Sequence, residues 1–188
     1  MKNKILECAK NIYLNEGYNN LTLRKVAKCV GISATAIYRY FDNKDDLILA
    51  ILSEGFLLLQ RLTMSAINSA STSKERLIFA FKGFMDFALK YPALYELMFM
   101  SKVQIGEIMR ANDEKYQKIR GSFFIVVDRV RECMDEGIIE KSDPVTYAFK
   151  LFALSHGTIS LYITDRIRMD QIAFENSYLQ ALLDFIEK

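Results

Sequence analysis

The chain has 188 residues, 51% of them apolar, 26% charged and 12% aromatic, with eight glycines and two prolines; this excludes collagen-like and disordered classes and fits one or two globular domains. A chain of this length buries roughly two thirds of its unfolded surface, so it needs no metal or disulfide to hold a core. The net charge of +2 is unevenly spread: residues 1–41 carry seven Lys/Arg against Glu7 and Glu16, a surplus of +5 that leaves −3 for the rest, as expected when one end meets a polyanion.

Apolar residues recur with the helical period throughout and no stretch alternates as a half-buried strand would, so the fold is predicted to be all-α. A first helix runs from about Asn3 to Asn15, with Ile5, Ala9 and Ile12 on one face, and stops at Gly17. Thr22 is placed to cap a second helix with Leu23, Val26, Ala27 and Val30 at i, i+3, i+4 and i+7; Gly31-Ile32 turns; Ser33 caps a short third helix, Ala34 to Tyr40. That spacing is a helix-turn-helix. Asp42-Asn43 starts a long fourth helix, about Lys44 to Ser69, whose positions 47, 48, 51, 52, 58, 59 and 62 share one arc while Phe56 and Leu57 lie outside it. Further helices are predicted at about Lys74 to Lys90, Pro92 to Met100, Gln104 to Ala111, Asn112 or Asp113 to Glu136, Asp143-Pro144 to about Thr164, and Asp170 to Glu187.

Charges at Lys2, Lys4, Glu7 and Lys10 break any signal-like run, and the longest apolar stretches, Leu47 to Leu52 and Phe56 to Leu59, fall short of the roughly 18 residues that mark a spanning segment. The chain is read as soluble and cytoplasmic, with no membrane partner. Cys8, Cys29 and Cys133 share no CxxC spacing and sit in apolar helical patterns, so they are read as buried small hydrophobes in a reducing compartment, with a redox sensor as the alternative.

A helix-turn-helix places its second helix in the major groove while the first crosses the backbone. In the second helix, small Ala34, Thr35 and Ala36 allow close approach to base edges, and Thr35 offers a hydroxyl or methyl. Ile37 and Phe41, four apart, face inward; Tyr38, Arg39 and Tyr40 are left to donate to phosphate oxygens, as are Thr22, Arg24 and Lys25 at the start of the first helix. The competing reading makes Tyr38 and Tyr40 core aromatics and Lys44, beside Asp45 and Asp46, part of a solvated face.

The run from Leu21 to Leu47, LTLRKVAKCVGISATAIYRYFDNKDDL, resembles the TetR family of bacterial transcriptional regulators, with Val26-Ala27, Gly31-Ile32-Ser33, Ile37-Tyr38, Tyr40-Phe41 and Lys44-Asp45-Asp46-Leu47 in family order and spacing. The resemblance implies an N-terminal three-helix DNA-binding domain, residues 1–48, followed by a larger helical ligand-binding and dimerisation domain, residues 49–188. It also implies that Tyr38, Tyr40 and Lys44 clamp phosphates and that Arg24, Ala34, Thr35 and Arg39 lie near bases or backbone.

In the body, Phe56, Met64, Phe84, Tyr95, Met98, Phe99 and Phe123 are candidates for the wall of a pocket, although any one of them taken alone reads first as ordinary core. Their number favours an apolar or aromatic small-molecule effector. His156 is the only histidine, which excludes a multi-histidine metal site, and no cofactor is expected. Its setting, Leu154-Ser155-His156-Gly157-Thr158, loosely resembles a Trp-His-Gly signature of some TetR-family C-terminal domains, with Ser155 in place of the tryptophan; His156 is read either as a core or interface residue or as part of the pocket, and Gly157 as a place where another helix comes close. The two C-terminal helices carry more apolar surface than one small body covers, which predicts a homodimer through them. The resemblance, taken with these features, implies a repressor that binds a double-stranded DNA operator, with Lys44, Tyr38 and Tyr40 at its phosphates, and is released by ligand. The alternatives are a DNA-binding protein without an inducer and a small-molecule carrier. The chain contains no HExxH, GxGxxG or P-loop, and it is read as a non-enzyme.

Overall fold

The computed structural model describes residues 1–101 and 113–187, and among these every regular element is a helix. The helices are α1 (Lys2–Asn20), α2 (Leu23–Val30), α3 (Ala34–Ile37), α4 (Lys44–Ile67), α5 (Ser73–Lys90), α6 (Pro92–Phe99), α7 (Asp113–Asp135), α8 (Pro144–Ile163) and α9 (Gln171–Ile186). The helix expected at Gln104 to Ala111 lies outside the described residues. Two compact units form, one from Met1–Phe56 with Glu96–Ile119, the other from Leu57–Tyr95 with Arg120–Lys188.

In the first unit, α1 does not stop at Gly17. The backbone breaks there, with φ 78° and ψ 174°, and one more helical turn continues to Asn20 before Leu21 plunges into the core. The Thr22 hydroxyl accepts from the Lys25 amide at 3.2 Å and so caps α2. At the other end Gly31 takes the left-handed conformation (φ 79°), Ile32 N–H reaches Ala27 O at 3.0 Å and Gly31 N–H reaches Lys28 O, the paired bonds that end a helix and turn the chain. Ser33 caps α3 by accepting from the Ala36 amide at 3.0 Å. α3 is shorter than expected: beyond Ile37 the bonds tighten to i→i+3, Arg39 N–H to Ala36 O and Tyr40 N–H to Ile37 O, so Tyr38, Arg39 and Tyr40 sit in turns. Ile5, Ala9, Leu21, Val26, Ile37, Phe41, Leu47 and Ile48 make the core of this unit.

Cys8 and Cys29 are not buried thiols. Cys8 is half-buried, Cys29 is exposed, and a disulfide joins them across α1 and α2 with their Cα atoms 6.2 Å apart. Cys8 precedes buried Ala9 and Cys29 lies three residues after buried Val26, so both stand at the rim of the seam between the two helices. Cys133 is free and buried as expected; burial, then the charges of Glu136 and Glu132, push its thiol up to about 11.

α4 is long and apolar enough to cross a membrane by length and composition, yet it uses its apolar residues as core: Leu47, Ile48, Leu49, Ile51 and Leu52 are all fully buried. The arc continues through buried Leu59, and Leu57, read as off it, is exposed.

In the second unit a capping box at Thr72 and Glu75 starts α5, which buries Leu77, Phe81, Phe84, Met85 and Phe87. A close helix approach is made at Gly83, where a Cβ would lie 2.7 Å from the Thr63 Cα on α4. At Gly157, where closeness was expected, a Cβ would meet nothing within 4 Å among the described residues. Asp143 caps α8 with Pro144 in its first turn, and Asp170 caps α9. Tyr178 of α9 is fully buried; its hydroxyl donates to the Phe81 carbonyl at 2.9 Å and shares a hydrogen bond with the Ser155 hydroxyl of α8, so the three helices meet at a satisfied polar point.

Candidate nucleic-acid interface

Capping and core packing decide what α2, α3 and the start of α4 present to solvent. Ile37 and Phe41 are buried, and the residues between them are turned out: Tyr38 is 52% exposed and Tyr40 37%. Two tyrosines of a short helical segment left this open are not core aromatics. Thr22, Arg24, Ala34, Thr35 and Arg39 are exposed as well, while Lys25 and Lys44 are half-buried.

Thr22, Arg24, Tyr38 and Lys44 come together on one shallow depression of about 400 Å³, whose remaining lining is Leu21, Leu23, Asp42 and Asn43. Asn43 closes it at the start of α4, its side-chain oxygen accepting from the Asp46 amide at 2.8 Å. The combination of hydroxyls, a guanidinium and an ammonium around a concavity is a set of donors suited to an anionic oxygen. Lys25 stands differently, since its ammonium is paired with Glu16. Lys44 is held by Tyr18: its Nζ donates to the Tyr18 carbonyl at 2.5 Å and lies 3.5 Å from the centre of the Tyr18 ring. Tyr18 was not among the residues singled out in the sequence; an aromatic directly after a glycine break was the available signal.

The residues read as a pocket wall fall in three places. Phe84, Tyr95, Phe123 and His156 belong to one aromatic cluster in the second unit, centred on Phe152, which the sequence reading passed over although it stands four residues before His156 on α8. Phe152 stacks on the His156 ring at 5.9 Å and touches Phe84 at 5.6 Å and Phe123 at 6.4 Å between ring centroids. The Tyr95 hydroxyl is hydrogen-bonded to His156 Nδ1 at 2.6 Å. Burial raises the Tyr95 phenol and lowers the His156 imidazole, so both are held neutral. Phe56 and Phe99 contact each other in the first unit, edge to face at 5.7 Å, and Met98 is buried there. Met64 is exposed on α4.

The C-terminal helices leave large apolar side chains in solvent. On α8 these are Val145, Phe149 at 61% and Leu161; on α9, Ile172 at 75%.

Residues 5–51 match the family described as bacterial regulatory proteins, tetR family, and residues 78–185 match the tetracyclin repressor-like C-terminal domain. A protein of Bacillus subtilis named fatty acid metabolism regulator protein is 22% identical over 185 residues, 97% of this chain and 94% of the relative. Among solved structures, a protein of unknown function from Rhodococcus sp. RHA1 superimposes with a TM-score of 0.84 at 24% identity, covering 98% of this chain and 93% of the other. The fatty acid degradation regulator FadR from Bacillus halodurans does so with 0.79 at 18% identity, covering 97% and 94%. With its N-terminal segment and more than half of its remaining length matched, the chain belongs to the TetR family of bacterial transcriptional regulators and is not an enzyme.

Proposed function

We propose that the protein is a homodimeric, sequence-specific repressor whose residues 1–48 bind a near-palindromic operator and whose residues 49–188 dimerise and bind a small apolar or aromatic effector. The observation that carries the DNA-binding reading is the outward turn of Tyr38 and Tyr40 against buried Ile37 and Phe41, with Thr22, Arg24 and Lys44 around the same depression as Tyr38. In this reading Tyr38, Tyr40 and Lys44 hold phosphates, Thr22 and Arg24 flank them, and Ala34, Thr35 and Arg39 face bases or backbone. Lys25, paired with Glu16, contributes after exchanging that partner.

Exposed Phe149, Val145, Leu161 and Ile172 support a dimer built on α8 and α9, because a polar solvent-facing surface would be expected on a monomer. Two recognition segments serve successive major grooves when about 34 to 36 Å apart, or a multiple of that. The cluster of Phe84, Tyr95, Phe123, Phe152 and His156 is the effector-facing part of the body: an apolar wall with one neutral hydrogen-bonded pair to orient a ligand. The names of two similar proteins, regulators of fatty acid metabolism and degradation, agree with an apolar effector. A ligand that prefers one tilt of α4, which starts at the DNA-binding segment and runs on for 24 residues, would change operator affinity. The protein acts in the cytoplasm, where the operator is.

The test is selection of bound DNA from a random duplex library at two salt concentrations, run with the parent and with Tyr38→Ala, Tyr40→Ala. Recovery of an inverted repeat by the parent and its loss in the variant is the expected result. Enrichment of no sequence by either protein rejects the reading.

A further inference from the structure

The break at Gly17 has a consequence for the DNA-facing depression. Because the backbone leaves the helical path at Gly17 and resumes it for one turn, Tyr18 ends beside the start of α4. Its carbonyl accepts from the Leu21 amide at 3.1 Å and from Lys44 Nζ at 2.5 Å. Its ring lies under the same ammonium, 3.5 Å from centroid to nitrogen. Its hydroxyl donates to Asp45 Oδ1 at 3.4 Å, so one oxygen of the carboxylate next in sequence to Lys44 is engaged by Tyr18. An unsupported lysine spreads over many rotamers, and its flexible stem loses that freedom when it grips a phosphate. Here the stem is already placed, and an ammonium has three donors, of which the carbonyl takes one.

We infer that Tyr18 is a positioning residue for DNA binding: through its carbonyl and ring it holds the Lys44 ammonium at the rim of the depression shared with Thr22, Arg24 and Tyr38, ready for a backbone phosphate. The inference rests on the reading of Lys44 as a phosphate ligand. Burial of the ammonium lowers the Lys44 pKa, in keeping with a cation held against the protein instead of extended into water. The electrostatic attraction of the ring face is retained by phenylalanine and lost with leucine.

The experiment uses the full chain and a short DNA duplex of mixed sequence, since phosphate binding is indifferent to sequence. Affinity is measured across a salt series for the parent, Y18F, Y18L, K44A and Y18L/K44A, and the Lys44 ε-methylene proton shifts are recorded by NMR in free parent, Y18F and Y18L. The expected result is an upfield ring-current shift in parent and Y18F that disappears in Y18L. Y18L should bind about threefold to fivefold more weakly at low salt, as the weakening of one exposed ion pair allows, with Y18F near the parent. K44A should flatten the dependence of log affinity on log salt by about 0.9 for each phosphate it no longer neutralises, with Y18L between it and the parent. In the K44A background Y18L should change nothing further. If K44A leaves both affinity and slope unaltered, Lys44 is not a phosphate ligand and the underlying reading fails. If K44A behaves as expected while Y18L matches the parent, or Y18L weakens binding equally with and without Lys44, that reading stands and the role assigned to Tyr18 is overturned.

Discussion

Reducing the Cys8–Cys29 disulfide should loosen the DNA-binding unit selectively. The bond closes a loop with a sequence separation of 21 between α1 and α2. Constraining a loop of that length in the unfolded chain stabilises the folded state by about 3 kcal/mol in the chain-entropy treatment. That corresponds to about two decades in an opening equilibrium, at about 1.4 kcal/mol per decade. Hydrogen exchange followed by mass spectrometry is the suitable assay because it resolves α2 from α9. In the oxidised protein, amides of α2 such as Val26, bonded to Thr22 O at 3.0 Å, should exchange slowly, and on reduction, or in Cys8→Ser, Cys29→Ser, about a hundredfold faster. Amides around Tyr178 and Leu182 in α9, buried in the other unit, serve as the internal reference. Thiol titration in denaturant should find one free cysteine, Cys133, before reduction and three after. Three thiols in the protein before reductant, or unchanged exchange in α2 after verified reduction, would refute the reasoning.

Gly83→Ala should destabilise the second unit by about 1 to 3 kcal/mol, because the new methyl meets the Thr63 backbone at 2.7 Å and α4 and α5 must part; urea unfolding monitored on Tyr178 reads it, and an unchanged midpoint contradicts the close approach. For the proposed dimer on α8 and α9, Phe149→Glu, at a site 61% exposed, should leave the subunit folded and shift the protein to monomer in sedimentation; a persistent dimer places the interface elsewhere, and a monomeric parent removes the dimer. Burial holds the His156 imidazole below its ordinary pKa, so the unfolded chain takes up the proton first; stability is full above about pH 7 and falls as pH drops through the unfolded value near 6.5 and on toward the lower folded one. The urea midpoint should therefore decline between about pH 7.5 and 5.5 in the parent and decline less in His156→Gln, and equal declines would remove His156 as the cause.

What was legible in the sequence was what neighbours along the chain decide. Thr22 and Ser33 are caps because a hydroxyl three residues before a free amide is a local fact, and Gly31 ends α2 because the left-handed turn there suits glycine. The outward turn of Tyr38 and Tyr40 follows from Ile37 and Phe41 occupying the inward positions four apart, again within one turn of chain. The features that escaped are pairings set by the angle at which helices cross. Cys8 and Cys29 looked like apolar helix residues, and only the α1–α2 packing brings their Cα atoms within 6.2 Å. Gly157 stands among bulky residues and Gly83 between Lys82 and Phe84, yet of these two it is Gly83 that a helix, α4, approaches closely.

The aromatic residues of the body divide for the same reason. Phe56, Phe84, Phe99 and Phe123 are alike in composition, but two compact units separate the first and third from the second and fourth. Phe152 joins the latter pair to His156 by standing one helical turn before it, a spacing that places both rings on one face and leaves them stacked. The histidine thus has a double assignment: its ring packs as a core aromatic does, and its Nδ1 is bonded to a buried phenol as an orienting group would be. In the proposed function, the core and effector-facing readings of His156 therefore need not compete, because a neutral hydrogen-bonded pair within a phenylalanine cluster fills space and would also give direction to a ligand.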